Sequence, residues 1–345
     1  MNKSLPFRIV ALSLSFASLL AAQSEQRDRE CLRLIQTIPM PNVRGRLDHM
    51  DVDVEGKRLF VSGLENGSLE IVNLQEGKWS RSVRGFKKPQ GIAYLAMLNK
   101  LFVASGDDGM LRVFRGDTLA LVDSIHLDLG PNRVVYDPDA KHLYVGYGGK
   151  DAGKDFGEVG IVDPQSDKKI GDIQVAGHPS ELLLNHAGNL LFILVSGANE
   201  IQVADTKTRQ LVFTWPVSSQ RPGSAALDEA TGRLLIGTHT PPEMVVMNSQ
   251  SGREVAALPT VDGMDGVYFD ANLKRIYISG GRGTDVGFVY VYQQLNADHY
   301  TQIRKIPTRA GAGTSFWCPK LHRYYVAAPS NASEDAAVLV YEPQP

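Results

Sequence analysis

The chain has 345 residues, of which 43% are hydrophobic, and 36 Lys and Arg nearly balance 38 Asp and Glu to give a formal net charge of −2. This balance argues against a nucleic-acid partner or an anionic membrane surface, because both need a field of one sign. The only cysteines, Cys31 and Cys318, are too few for a disulfide framework.

The N-terminal segment has the pattern of an export signal. Lys3 and Arg8 are followed by an uncharged apolar run over residues 9–22, and polar residues follow from Gln23. The run is short for a membrane span, so we predict a cleaved signal peptide of residues 1–22 and a periplasmic or secreted mature chain without a membrane span. An uncleaved anchor is the alternative.

One apolar strand pattern recurs seven times along the rest of the chain. The first residues of the runs, called anchors here, are separated by 42, 42, 48, 43, 42 and 48 residues. A period of about 40–45 residues is typical of four-stranded propeller blades. The sequence therefore predicts an all-β, seven-bladed β-propeller in a single domain of residues 23–345. The runs are Leu59–Val61, Leu101–Val103, Leu143–Val145, Leu191–Ile193, Leu234–Ile236, Ile276–Ile278 and Tyr324–Val326.

The two ends of the chain complement each other. The seventh repeat has residues for only three strands, and the strand-like segment from Leu32 to Pro39 precedes the first repeat. We predict that this segment is the fourth strand of the last blade, because the pairing removes two exposed sheet edges. Cys31 and Cys318 would then lie three strand spacings apart, roughly 14 Å, which is too far for a disulfide.

Turn residues support the same division into blades. The position six residues before the anchor is Asp or Asn in five of the seven repeats. These side chains bind their own backbone in turns, so we interpret their acidity as structural.

Two segments resemble a known family. The strand Arg58-Leu59-Phe60-Val61, the segment Ile161-Val162-Asp163-Pro164 and the spacing between such segments resemble the YVTN/YncE-like extracytoplasmic β-propellers. The resemblance covers about residues 46–341 and implies the fold and an extracytoplasmic location. Its motifs are architectural and imply little about chemistry.

Polar residues occupy the positions ten and eleven residues before each anchor. In a propeller this is where one blade passes to the next, on the face that surrounds the mouth of the central channel. Together with the loops between the second and third strands of each blade, these positions supply our candidates for a site. The ligand-binding candidates are Asp48, Asn132, Arg133, Arg221, His239 and Asp265, and the catalytic candidates are His49, His178 and Glu181.

Two functions remain open for such a site. The first is a monomeric, non-catalytic protein that binds a small molecule or another protein at the channel mouth. The alternative is a hydrolase or lyase that resembles lactonases in layout, with a His/Glu acid–base pair or a divalent cation. The candidate cofactor is a divalent cation, Ca²⁺ or Mg²⁺, because both favour oxygen ligands. The oxygen ligands in question are those of Asp48, Asn132, Glu181 and Asp265.

Overall fold

The computed structural model describes residues 30–345, in which 28 strands form seven four-stranded antiparallel sheets around a ring. This confirms the predicted seven-bladed β-propeller. Each blade has an innermost strand A, then strands B and C, and an outermost strand D. Three short 3-10 helices connect strands at residues Ala96–Leu98, Gly149–Ala152 and Pro319–Leu321.

The strands follow the chain from blade to blade. The first strand is β1 (Leu32–Met40). Blade one contains β2 (Met50–Asp53), β3 (Arg58–Gly63), β4 (Ser68–Asn73) and β5 (Lys78–Arg84), and blade two contains β6 (Pro89–Leu95), β7 (Lys100–Ser105), β8 (Met110–Arg115) and β9 (Leu121–His126). Blade three contains β10 (Val134–Asp137), β11 (His142–Gly148), β12 (Gly157–Asp163) and β13 (Lys168–Val175). Blade four contains β14 (Pro179–Leu184), β15 (Leu190–Val195), β16 (Glu200–Asp205) and β17 (Gln210–Pro216). Blades five to seven contain β18 (Ser224–Asp228), β19 (Arg233–His239), β20 (Pro242–Asn248) and β21 (Glu254–Pro259); β22 (Gly266–Asp270), β23 (Arg275–Gly280), β24 (Phe288–Asn296) and β25 (His299–Pro307); and β26 (Ser315–Cys318), β27 (Arg323–Ala328) and β28 (Ala336–Pro343).

The core lies between neighbouring blades. Every anchor is the second residue of its strand B, and all seven are fully buried, because strand B is covered on both faces by the adjacent sheets. The outermost strands are largely exposed; in β17, for example, five consecutive residues from Gln210 to Thr214 face solvent. Burial on both faces explains why strand B reads as a continuous apolar run rather than as an alternating pattern.

The N-terminal strand closes the ring as predicted. Strand β1 is the outermost strand of blade seven and pairs antiparallel with β28, from Leu32 opposite Pro343 to Met40 opposite Ala336, with a bulge between Leu34 and Gln36. The guanidinium of Arg275, in blade six, donates hydrogen bonds to the backbone carbonyls of both Cys31 and Gln344. The two ends of the described chain are therefore held by one side chain of the neighbouring blade.

Both cysteines are free and buried. Cys31 precedes the outermost strand of the last sheet and Cys318 ends the innermost one, which is the separation predicted from the sequence. Burial raises the pKa of both thiols.

The acidic turn residues act structurally, also as predicted. Asp53 Oδ1 accepts a hydrogen bond from the backbone N–H of Gly56 at 2.8 Å, and Asp137 Oδ1 accepts two, from Asp139 and Ala140. Each carboxylate thus binds the backbone of the turn between strands A and B.

The predicted signal peptide, residues 1–22, lies outside the described residues. Within residues 30–345, no helix is long and apolar enough to cross a membrane.

Candidate functional site

A cavity of about 220 Å³ opens at the channel mouth. It lies on the face where strand D of one blade passes to strand A of the next and where the loops between strands B and C end. The structure brings eight of the nine candidate residues into its lining, all except Arg133. These are Asp48, His49, Asn132, His178, Glu181, Arg221, His239 and Asp265.

The backbone sets these positions in the same way in several blades. The N–H groups of Asp48, Asn132 and Asp265 donate to Ser62, Gly146 and Ser279, at the ends of the adjacent B strands, at 2.7, 2.9 and 3.1 Å. The A–B ladder therefore extends past strand A at this face. Because the same bond recurs around the ring, residues far apart in the chain reach one opening.

One side of the cavity is a network of ion pairs. Arg46 Nη2 lies 2.9 Å from Asp265 Oδ2 and 3.3 Å from Asp48 Oδ1, while Arg282 Nη1 lies 3.4 Å from the same Asp265 oxygen. Burial by itself would raise the pKa of Asp265, but Arg46 and Arg282 outweigh burial and hold that pKa below its usual range. Asp265 is therefore ionised at neutral pH.

This donor set does not fit a divalent cation. Among residues 30–345, no three His, Cys, Asp or Glu side chains are placed to hold a metal ion. The carboxylates of Asp48 and Asp265 face arginines, and Glu181 faces Arg133. A cation at these oxygens would have to displace arginines that already neutralise them.

A second network fixes two of the candidate histidines. Arg133 Nη1 lies 3.1 Å from His49 Nδ1, and His49 Nε2 lies 3.3 Å from Asn132 Oδ1. Asn132 Nδ2 lies 3.4 Å from His178 Nε2, and His178 Nδ1 lies 3.0 Å from the Gly148 carbonyl oxygen.

The hydrogen-bond direction in this network follows from its two ends. Arg133 can only donate, so His49 accepts at Nδ1 and donates from Nε2 to the Asn132 carbonyl. The Asn132 amide then donates to His178, which donates from Nδ1 to the backbone carbonyl of Gly148. This assignment gives each of these side chains a hydrogen-bond partner, and it leaves no ring nitrogen of His49 or His178 free to act as a base.

Glu181 is also occupied. Its side chain is almost fully buried, with Oε1 2.6 Å from Arg133 Nε, in an ion pair whose N–H direction does not form a hydrogen bond. Glu181 Oε1 accepts a hydrogen bond from the backbone N–H of Leu182, and Oε2 accepts one from the Ser224 hydroxyl. Burial disfavours the charge on Arg133, but Glu181, Tyr268 and Asp51 together outweigh burial and raise the pKa of Arg133. Arg133 therefore supports the cavity wall and is the ion-pair partner of Glu181.

The opposite side of the cavity has unpaired groups. No carboxylate of the described residues lies within ion-pair distance of Arg221, which is exposed. Burial, with the charges of Arg282 and Arg221, lowers the pKa of His239, so its imidazole is neutral at pH 7. The arrangement is an open, positively charged surface beside a neutral histidine.

Sequence reasoning missed several lining residues, of which Arg46 and Arg282 carry charge. Arg46 lies thirteen residues before its anchor, the same offset as His178 and Arg221, so a longer count back from the anchors would have found it. Arg282 lies in a loop of irregular length and has no such signal. Of the uncharged lining residues, Gln90, Ser180, Gly223 and Ser224 lie at the predicted positions ten and eleven residues before their anchors, and only Ser196 was missed.

The long loops in blades three and seven contribute little to the cavity. Of the loop from Gly148 to Gly157, two residues touch the site, both through His178: the Gly148 carbonyl oxygen lies 3.0 Å from His178 Nδ1, and Gly149 packs against His178 so closely that a side chain there would collide with it. The loop over residues 329–335 is not part of the lining. These two long loops therefore add little to the wall of the cavity.

Fold and cavity together define a seven-bladed β-propeller with a polar cavity at its channel mouth. Two solved structures are similar to this chain. One, titled Kuenenia stuttgartiensis hydrazine synthase, has a TM-score of 0.73 and 17% identity over 86% of this chain and 96% of that chain. The other, titled crystal structure of mitotic checkpoint complex, has a TM-score of 0.71 and 13% identity over 99% of this chain and 98% of that chain. At these identities the likeness shows the fold alone.

No protein-family model matches the chain. No curated protein matches it either.

Proposed function

We propose that this protein is an extracytoplasmic propeller of the YVTN/YncE-like kind that binds a small anionic molecule at the channel mouth. The observation that carries the proposal is Arg221, an arginine on a cavity wall without a carboxylate partner among the described residues. Guanidinium groups recognise carboxylate and phosphate through paired donors. The export pattern of residues 1–22 supports the location, and we expect the protein to act as a monomer.

The charges around Arg221 favour an anion over a cation. Arg282 lines the same cavity with its side chain 37% exposed, and its only ion pair in residues 30–345 is the 3.4 Å contact with Asp265. Burial and the positive charges of Arg282 and Arg221 lower the pKa of His239 and keep its imidazole neutral. An incoming anion therefore meets two accessible cations and a neutral hydrogen-bonding group.

Binding to one matched pair of variants tests this proposal. Inorganic phosphate and acetate are titrated at low ionic strength into the wild type, Arg221→Gln and Arg253→Gln. Arg253 is also exposed and belongs to the same blade, but it lies in the turn between strands C and D at the other face. We expect Arg221→Gln to weaken binding about tenfold or more, and Arg253→Gln to leave it unchanged. Equal effects of the two changes would refute the site.

One observation favours a catalytic alternative. Among the cavity histidines, His239 has no side-chain hydrogen bond within residues 30–345, whereas His49 and His178 are both engaged. A neutral, unbonded imidazole beside two arginines suits a general base acting on an anionic substrate. If a screen of lactones and esters finds turnover, His239→Gln should abolish that turnover. Glu181→Gln should instead lower the stability of the fold.

A further inference from the structure

One of the lining residues, Asp48, has an unfilled acceptor. Asp48 is 1% exposed, and its Oδ1 faces Arg46, but its Oδ2 has no hydrogen-bond partner among the described residues. A buried carboxylate oxygen without a donor is costly, so such an atom calls for a donor from outside the chain.

Asp48 and Arg221 line the same cavity from distant blades. Asp48 comes from the start of blade one, and Arg221 from the start of blade five, which is three blades away around a ring of seven. A cavity of 220 Å³ is about 7 Å across if roughly spherical, below the usual range for drug-sized ligands. A cavity of this size suits a molecule of a few carbon atoms.

The charge balance favours a ligand with one negative charge over a ligand with two. Ion pairs join Asp265 and Asp48 to Arg46, and Glu181 to Arg133, and Arg282 adds a second cation at Asp265. Counting these groups with Arg221, four arginines face three carboxylates. The surplus is one positive charge, which a monoanion neutralises and a dianion exceeds.

Resting on the proposed function, we propose that the ligand is a small hydroxylated monocarboxylate. Its carboxylate binds Arg221, and a hydroxyl group donates a hydrogen bond to Asp48 Oδ2. A hydroxyl fits this acceptor better than an ammonium group, because Arg46 already supplies the positive charge next to Asp48. No covalent step is required.

A series of four-carbon probes isolates each half of the proposal. Butanoate has only the carboxylate, 4-hydroxybutanoate adds a terminal donor, and 4-methoxybutanoate replaces that donor with an ether that can only accept. Butane-1,4-diol has hydroxyls without charge. Calorimetric titration of each into the wild-type protein should give an affinity for 4-hydroxybutanoate about tenfold or more above butanoate and 4-methoxybutanoate, and no binding of the diol.

The variants separate the two contacts. Arg221→Gln should weaken all three acids by a similar factor. Asp48→Asn places an amide donor where Oδ2 was, so the preference for hydroxy over methoxy should disappear while butanoate binding persists. Arg253→Gln is the control for both changes.

The outcomes distinguish the proposals from each other. Similar affinities for all three acids in the wild type would overturn the hydroxyl contact and leave the anion site standing; a water molecule would then be the donor to Asp48. Binding of none of the acids, or binding indifferent to Arg221→Gln, would overturn the anion site as well. If Asp48→Asn does not fold, as judged by circular dichroism, the wild-type ratio of 4-hydroxybutanoate to 4-methoxybutanoate decides alone.

Discussion

Closure of the ring by β1 is testable with two isoleucines of the same strand. Ile38 is 1% exposed and packs in a core cluster with Met40, Val43 and Leu47, whereas Ile35 is 40% exposed. Ile38→Ala removes a fully buried side chain and leaves a cavity, which costs about 2–5 kcal/mol. Ile35→Ala should cost about 0.5 kcal/mol or less, because little of the side chain's burial is lost.

The expected difference is large enough to measure by thermal unfolding. An unfolding entropy of about 2.1 cal/mol/K per residue gives near 0.7 kcal/mol/K for residues 30–345. A loss of about 3 kcal/mol therefore lowers Tm by about 4–5 °C in Ile38→Ala and by under 1 °C in Ile35→Ala. A chain lacking residues up to 41 loses the whole strand and should aggregate or melt far lower. Equal melting of the two isoleucine variants, or unchanged melting of the truncated chain, would show that β1 does not close the ring.

Two further predictions concern charges in and below the cavity. Arg133→Met should lower the free energy of unfolding, measured in urea, by about 3–5 kcal/mol, because it leaves the buried Glu181 carboxylate without its ion-pair partner. The double variant with Glu181→Gln should recover part of this loss, and no recovery would contradict the pairing. Burial raises the pKa of Asp51 to about 6, so the folded state binds this proton more tightly than the unfolded state does, and stability should fall as pH rises from about 4 to 6. The stability of the Asp51→Asn variant should not fall in this way between about pH 4 and 6. Parallel profiles of stability against pH for the two proteins would refute the raised pKa of Asp51.

The architecture was predictable because strand B is enclosed by sheets on both faces in every blade. That environment favours apolar residues at the equivalent position of all seven blades, as at Leu59, Leu101 and Leu143. The repeat period can therefore be read from the sequence. Closure was predictable for a related reason. Leaving Leu32 and Ile38 outside a core would expose them, and only the last blade lacked a strand.

The positions of the site were predictable, but the partners within it were not. Counting from the anchors identified Asp48, Asn132 and Asp265 as neighbours of the channel, because the backbone at those offsets repeats. Whether His49 is a free base or a link between Arg133 and Asn132 depends on side-chain rotamers and distances of about 3 Å. The position of a residue relative to its anchor does not determine which side chains lie within about 3 Å of it.

The same limit explains why Glu181 was a reasonable choice of general base. Its type, its position and its nearness to His178 all suited acid–base chemistry. The ion pair with Arg133 and the hydrogen bonds from Leu182 and Ser224 argue against it. Two ionisable groups at equivalent offsets in neighbouring blades can form either a reactive pair or a structural one. The distinction here lies in the four hydrogen-bonding contacts that run from Arg133 to Gly148.

The cavity and the ring closure are coupled through the free energy of folding. A ligand that touches Asp48 in blade one and Arg221 in blade five binds only the closed ring, so at one hundred times its Kd it adds about 2.7 kcal/mol to stability. This is close to the loss expected for Ile38→Ala. Because Ile38 does not line the cavity, the two effects should add, and saturating 4-hydroxybutanoate should raise the Tm of Ile38→Ala and of the wild type by similar amounts. A smaller rise in the variant, measured in the same thermal scan, would mean that strand β1 shapes the cavity as well as closing the ring.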